Sequence, residues 1–240
     1  MRPLKILLVA VFVACIPVFL VTSNVRWVIN APFLYSYGFD KYEIPERTGI
    51  EREELIKAGA AFRDYFNNDD DVLDVRVVQD GILRSIYNAR EIAHMSDVKG
   101  LVTGVWDLQT ATGGFIGGFL LVGAFFYRRR WLRMAARFAG WGGLATLGLV
   151  VVVGIGAVIG FDRLFLAFHL ISFSNDLWQL DPRRDMLLIM FPQGFFLDAT
   201  LWIVGATIVQ ALALSAYPGV RFIRGLMDTN APVEGGAMEA

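Results

Sequence analysis

FDRLFLAFHLISFSNDLWQLDP, residues 161–182, is the point at which a long apolar run meets water, and it carries one of the chain's two histidines, His169. The other, His94, also stands among charged residues just outside an apolar run. Asp162, His169 and Asp176 recur at every seventh position, so a continuous helix would align them on one face with Phe165, Phe173 and Leu180. Such a stripe is costly against lipid and is expected to face the protein interior or a wet cleft. The other reading is an interfacial amphipathic helix without chemistry of its own. Asp181-Pro182 and Phe191-Pro192 are expected to start new helical pieces.

Outward from this stretch the chain is apolar in blocks. Hydrophobic residues fill 55% of its 240 positions and the mean hydropathy is +0.51, too apolar for one soluble domain. Leu4–Thr22, Ala111–Tyr127, Phe138–Phe161 and Ala199–Tyr217 each suffice to cross a hydrocarbon core that needs about 20 apolar residues. The expected fold is mainly α: a polytopic membrane protein with a four-transmembrane-helix bundle and an extracytoplasmic α/β cap between helices 1 and 2. Residues 1–240 then form one membrane domain: spans at 4–22, 111–127, 138–161 and 199–217, the cap at 23–110, a cytoplasmic loop at 128–137, an extracytoplasmic interfacial segment at 162–198 and a cytoplasmic tail at 218–240. The first span resembles a secretory signal, but no small-x-small cleavage site follows it, so it is read as a retained helix.

Basic residues set the expected orientation. Arg2 and Lys5 precede the first span, Arg128, Arg129, Arg130, Arg133 and Arg137 fill the second connection, and Arg221 and Arg224 follow the fourth span. By the positive-inside rule these are cytoplasmic, as are both termini, and the two histidines share the exterior side. A net charge of -1 offers no footprint for nucleic acid. Cys15 is the single cysteine, so no intramolecular disulfide holds the outer segment. It lies inside an apolar run and is read as a residue at lipid depth.

Within the outer segment, Asn24–Asp40 is rich in Trp, Tyr and Phe and is expected to lie along the membrane surface. Thr48-Gly49-Ile50-Glu51 has capping-box spacing and predicts a helix over 49–66. Asn67–Asp71 is read as a solvated acidic loop, since it lacks the alternating ligands and glycine turn of a calcium site. Alternation at Val75, Val77, Ile82, Arg84 and Ile86 around Asp80-Gly81 predicts a β-hairpin. Asn88-Ala89-Arg90-Glu91 repeats the capping spacing and starts a helix that runs toward the second span. On it Arg90 and Asp97 flank His94 by one turn, and Lys99 follows. Gly113/Gly117, Gly114/Gly118 and Gly156/Gly160 have the spacing that allows close helix packing in lipid.

Tyr37-Gly38, Lys41-Tyr42, Thr48-Gly49-Ile50, Arg90-Glu91, His94-Met95-x-Asp97-Val98-Lys99, Phe168-His169, Phe173-x-Asn175-Asp176-x-Trp178-x-Leu180-Asp181-Pro182 and Phe191-Pro192-x-x-Phe195-Phe196-x-Asp198 occur in this order. In that order and spacing the chain resembles the bacterial lipoprotein intramolecular transacylase family over nearly its whole length. The resemblance implies an acyltransferase of the bacterial cytoplasmic membrane. It would move the sn-2 acyl chain of a diacylglyceryl-modified lipoprotein to the α-amino group of the N-terminal cysteine, giving an N-acylated lyso-form. The expected partners are such lipoproteins and membrane phospholipid, with no obligate protein partner.

The residue chemistry suits this reaction. An α-amino group with a pKa of about 7.7–8.0 is partly protonated at neutral pH, and a histidine near 6.5 accepts its proton. His94 and His169 are the expected catalytic pair. Asp97 and Asp176 are expected to orient them, Arg90 and Lys99 to balance an oxyanion, and Asn175 and Tyr37 join through the resembled motifs; Phe165, Phe173 and Trp178 are expected to bind lipid. Two histidines barely furnish a catalytic zinc site, so neither metal nor cofactor is expected. No G-x-S-x-G elbow is present. A membrane esterase using Ser96, Ser172 or water is one alternative, and a non-catalytic lipid- or protein-binding module is another.

Overall fold

The computed structural model describes the backbone of residues 2–229; residue 1, side chains at 2, 129, 157, 158 and from 217 onward, and all of 230–240 lie outside the described set, so the tail expected at 218–240 falls outside it beyond 229 and in all its side chains. Four helical stretches are long and apolar enough to cross a membrane: Pro3–Asn30, Ala89–Arg128, Arg130–Gly156 and Gln193–Ala216. Their outer faces leave residues such as Leu121, Phe125, Val152 and Ile155 exposed, as suits a bundle whose surroundings are lipid tails.

Helix α1 (Arg2–Asn30) outruns its apolar block, and Pro32 then opens α2 (Pro32–Lys41). The Asn24–Asp40 stretch therefore does not simply lie along a surface. Its α2 half has helical periodicity and buries Leu34, Tyr35, Gly38 and Phe39, leaving Phe33 and Tyr37 outside. The capping box expected at Thr48 does not form. Thr48 ends α3 (Ile44–Thr48), its hydroxyl donating to the Ile44 carbonyl at 2.7 Å and accepting from Ile50 N–H at 3.2 Å. Gly49, at φ +68°, then reverses the chain into α4 (Arg52–Tyr65). Strands β1 (Arg76–Gln79) and β2 (Ile82–Ser85) pair antiparallel across Asp80-Gly81, both at positive φ.

The box at Asn88 does form. Its side chain accepts from the N–H groups of Arg90 and Glu91 while Glu91 accepts from the Asn88 N–H, and α5 (Ala89–Ser172) begins there. α5 comprises three limbs, 89–127, 129–159 and 161–172, broken at Arg128 (φ 48°, ψ -128°) and Gly160 (φ -177°, ψ 82°). The connection expected at 128–137 is thus a one-residue reversal within helix. Trp131 fastens it, donating to the Leu120 carbonyl at 2.8 Å and lying so close to Gly123 that a Cβ there would collide with the indole.

Of the predicted glycine pairs, only Gly113 is in close contact, with Phe19; Gly114, Gly117, Gly118 and Gly156 face open space. The close helix crossings use Gly142 against Ile16 and Gly143 against the Ala211 carbonyl instead. The principal core sits in the cap, where Tyr35, Phe39 and Phe62 meet Phe191 and Phe195. α6 (Met186–Met190) and the start of α7 (Gln193–Thr229) thus complete the cap.

Candidate active site

His94 lies in the second turn after the Asn88 cap, and His169 near the end of the third limb of α5. The two rings come together with centroids 6.3 Å apart and planes inclined by 31°. Both are buried, at 6% and 9% exposure. Aromatic rings wall them: around His169, Phe165 lies at 4.5 Å, Trp178 at 5.2 Å, Phe168 at 5.3 Å and Phe173 at 5.6 Å, and Phe173 stands edge-on to His94 at 5.1 Å. Phe165, Phe173 and Trp178, predicted to bind lipid, are therefore all gathered at the pair.

Hydrogen bonding distinguishes the two rings. His169 Nδ1 is 2.8 Å from the Phe165 carbonyl, one turn earlier. A carbonyl only accepts, so Nδ1 carries the proton and, in the neutral ring, Nε2 keeps a free lone pair. His94 Nδ1 is buried with no partner among the described residues. The helix bearing His94 is 40 residues long, about 60 Å at roughly 1.5 Å per residue and twice the hydrocarbon thickness. Arg90, Glu91, Asp97 and Lys99 mark its first turns as lying outside that core. There, burial and then the neighbouring His169 lower the His94 pKa from 6.5 to about 4, against an opposing pull from Asp97. His94 is neutral at pH 7.

The supporting residues are arranged differently from the sequence expectation. The third limb ends at Ser172, so Asp176 lies beyond the helix and does not share the face that carries Asp162 and His169. Among the described residues Asp176 makes no hydrogen bond to either imidazole: its carboxylate accepts from Gln179 Nε2 at 2.8 Å, and its carbonyl accepts from the Arg90 guanidinium at 2.5 Å. Asp97 accepts from Asn175 Nδ2 at 2.9 Å. Lys99 turns away, donating to Asn68 Oδ1 and the Asp70 carbonyl with its ammonium 4.2 Å above the Tyr65 ring. Tyr37 is exposed and lies under Lys41, 5.3 Å from its ammonium. Ser96 is turned toward the Tyr65 hydroxyl.

A family model described as lipoprotein intramolecular transacylase, Lit, matches residues 10–196, a range that includes both histidines. The chain belongs to the lipoprotein intramolecular transacylase family. It is an acyltransferase, and its substrates are lipoproteins. Among solved structures, that of the membrane-integral transacylase Lit from Bacillus cereus superposes with a TM-score of 0.77 at 19% identity, covering 96% of this chain and 100% of that one. Two further structures of the Bacillus cereus protein, with a histidine replaced by arginine in one and alanine in the other, each give a TM-score of 0.72 at 19% identity. They cover 94% of this chain and 96% and 97% of theirs. At this identity the likeness establishes a shared fold. No curated protein sequence matches the chain.

Two polar clusters of the transacylase escaped sequence reasoning. Glu91, 1% exposed, accepts from the Asn88 N–H at 2.8 Å and from the Leu187 N–H at 2.6 Å, tying the start of α5 to α6. Buried Asp185 accepts from Asn88 Nδ2 at 3.0 Å and from the Asp181 N–H at 2.6 Å. The capping spacing reveals Glu91 but accounts for only one of its oxygens. Asp198 receives the Tyr42 hydroxyl at 2.8 Å and the Lys41 ammonium at 2.7 Å, joining α2 to α7. Nothing local in either segment signals that pairing.

Proposed function

We propose that His94 and His169 form the site of O-to-N acyl transfer, in which the sn-2 acyl chain of a diacylglyceryl-modified lipoprotein passes to the α-amino group of its N-terminal cysteine. The observation that carries this reading is the convergence of the only two histidines, 75 positions apart in sequence, in one aromatic-walled site. His169 Nε2 takes the proton from the attacking amine as the N–C bond forms. The ester C–O bond breaks, and the same nitrogen returns the proton to the glyceryl oxygen. Neutral His94 has one ring N–H to offer the oxyanion, and the oxyanion needs such a donor. Amine and ester belong to one molecule, so holding them together replaces a second encounter. Phe165 and Phe168 are apolar surface suited to acyl chains. No acyl-enzyme is needed.

In the proposed topology the arginines around 128–137 and both termini face the cytoplasm, the cap and histidines face the exterior, and substrate arrives from the outer leaflet of the bacterial cytoplasmic membrane, among phospholipids. Thiol labelling of single cysteines in a Cys15-free chain tests this. A cysteine replacing Asp70 is expected to react with an impermeant reagent in intact cells, and one replacing Arg130 to be protected; the reverse pattern refutes the orientation.

The chemical test is conversion of a diacylglyceryl lipopeptide by the purified protein. His94→Ala, His169→Ala and the double variant are each expected to lose about 10²–10⁴-fold in rate, by similar amounts because members of one catalytic unit are non-additive. Near-wild-type conversion by either single variant refutes the pair.

A further inference from the structure

Both histidines are buried, yet ester and amine must reach them. Beside Phe165 and Phe168 of the third limb, what covers them is the irregular segment 173–181 between that limb of α5 and α6. Phe173 stands over both rings, at 5.1 Å from His94 and 5.6 Å from His169, and Trp178 lies 5.2 Å from His169. The segment is fastened across to the first limb of α5: Asn175 Nδ2 donates to Asp97 at 2.9 Å and Arg90 to the Asp176 carbonyl at 2.5 Å. It is also braced internally, Asn175 Oδ1 accepting from the Leu177 N–H at 3.0 Å and Asp176 Oδ1 from Gln179 at 2.8 Å. The fastening residues Asn175 and Asp176 are exposed while the Phe173 ring is turned inward and buried.

We propose that segment 173–181 is an aromatic lid that selects the acyl acceptor: Phe173 and Trp178 keep water from the reacting ester, and Asn175, Asp97 and Arg90 are positioning residues that hold the lid shut. This rests on the transacylase reading of the histidine pair. A base that deprotonates the substrate's amine serves equally well for a water molecule at the same point. With the amine as nucleophile, an N–C bond replaces the ester C–O bond, the proton passes from nitrogen to the glyceryl oxygen, and every atom stays in the lipoprotein. With water, its oxygen bonds to the acyl carbon, its proton goes to the glyceryl oxygen, and free fatty acid leaves while the amine stays unmodified. Closing a site against solvent suppresses the second course. The two hydrogen bonds from the segment to the first limb are placed to open for substrate entry and reclose over the bound ester.

The test uses full-length protein in lipid nanodiscs with a synthetic diacylglyceryl lipopeptide, run in ¹⁸O-labelled water. Mass spectrometry separates the N-acylated product, unchanged in mass, from the shortened lipopeptide and ¹⁸O-bearing fatty acid. In Asn175→Ala and Trp178→Ala the ratio of fatty acid to N-acyl product is expected to rise at least about fivefold over wild type, with Trp178→Phe close to wild type. A rise in either alanine variant supports the lid. An unchanged ratio in both, or loss of both products in both, overturns it. Wild-type protein that releases only fatty acid overturns the underlying transacylase reading instead.

Discussion

Replacing Glu91 by alanine is expected to loosen the junction between α5 and α6. The carboxylate is 1% exposed and satisfies two backbone donors, Asn88 N–H at 2.8 Å and Leu187 N–H at 2.6 Å. Hydrogen bonds to a charged group are worth about 1.5–3 kcal/mol each, and a buried donor left without a partner keeps its desolvation cost, so the loss is roughly 3–6 kcal/mol. For a chain of this size about 2–4 °C of melting temperature accompanies each kcal/mol, which predicts a fall of roughly 6–24 °C. Glu91→Gln keeps one acceptor oxygen but turns an NH₂ group toward the other donor, and should lie between alanine and wild type. The assay is thermal unfolding in detergent followed by near-ultraviolet circular dichroism, which reports the aromatic cap core. An alanine variant melting within about 2 °C of wild type would refute the reasoning.

Burial lowers the His94 pKa from 6.5 to about 4, so between these values the folded protein binds fewer protons at this ring than the unfolded chain does. Stability is therefore undiminished above 6.5 and falls as pH drops toward 4; ¹⁵N NMR should find His94 neutral at pH 5.5, and a midpoint at 6.5 or above contradicts this. Asn24 and Gln210 exchange amide hydrogen bonds of 2.9 and 3.1 Å between α1 and α7. Asn24→Leu and Gln210→Leu should each cost about 1 kcal/mol and be strongly non-additive in a double-mutant cycle, whereas full additivity would show that the pair contributes nothing. Tyr42→Phe removes one donor from Asp198 and should cost about 1 kcal/mol, while Asp198→Ala, which strands both Tyr42 and Lys41, should cost more; equal melting temperatures would refute that order.

Features carried by local pattern were legible in the sequence. The apolar blocks announce the bundle because lipid demands continuous runs, Asp80-Gly81 announces the hairpin because few residues accept positive φ, and Asn88–Glu91 announces a helix start that does form. The convergence of His94 and His169 followed from counting membrane crossings, without any local signal. Features decided by where the chain turns, or by which groups a side chain finally meets, were not legible. Thr48 has capping spacing, but Gly49 reverses the chain at that point. Asp176 continues a seven-residue stripe, but the helix carrying the stripe stops at Ser172 and Asp176 meets Gln179 and Arg90 instead. Lys99 sits close to His94 in sequence and is drawn off by Asn68, Asp70 and Tyr65. Spacing in sequence gives the face of a helix. It does not give what a long side chain reaches from that face.

The composite cap imposes an order on biogenesis. Tyr35, Phe39 and Phe62 are synthesised early, but Phe191 and Phe195, which complete their core, follow only after the third apolar helix. At roughly 5–20 residues per second the early portion waits on the order of 6–30 s for them. During that interval its aromatic side chains are uncovered, and a ribosome stalled before the fourth helix would hold a protease-sensitive half-cap. His169 is also made on the late side of this gap, so a nascent chain acquires its second histidine only shortly before the cap has the residues needed to close.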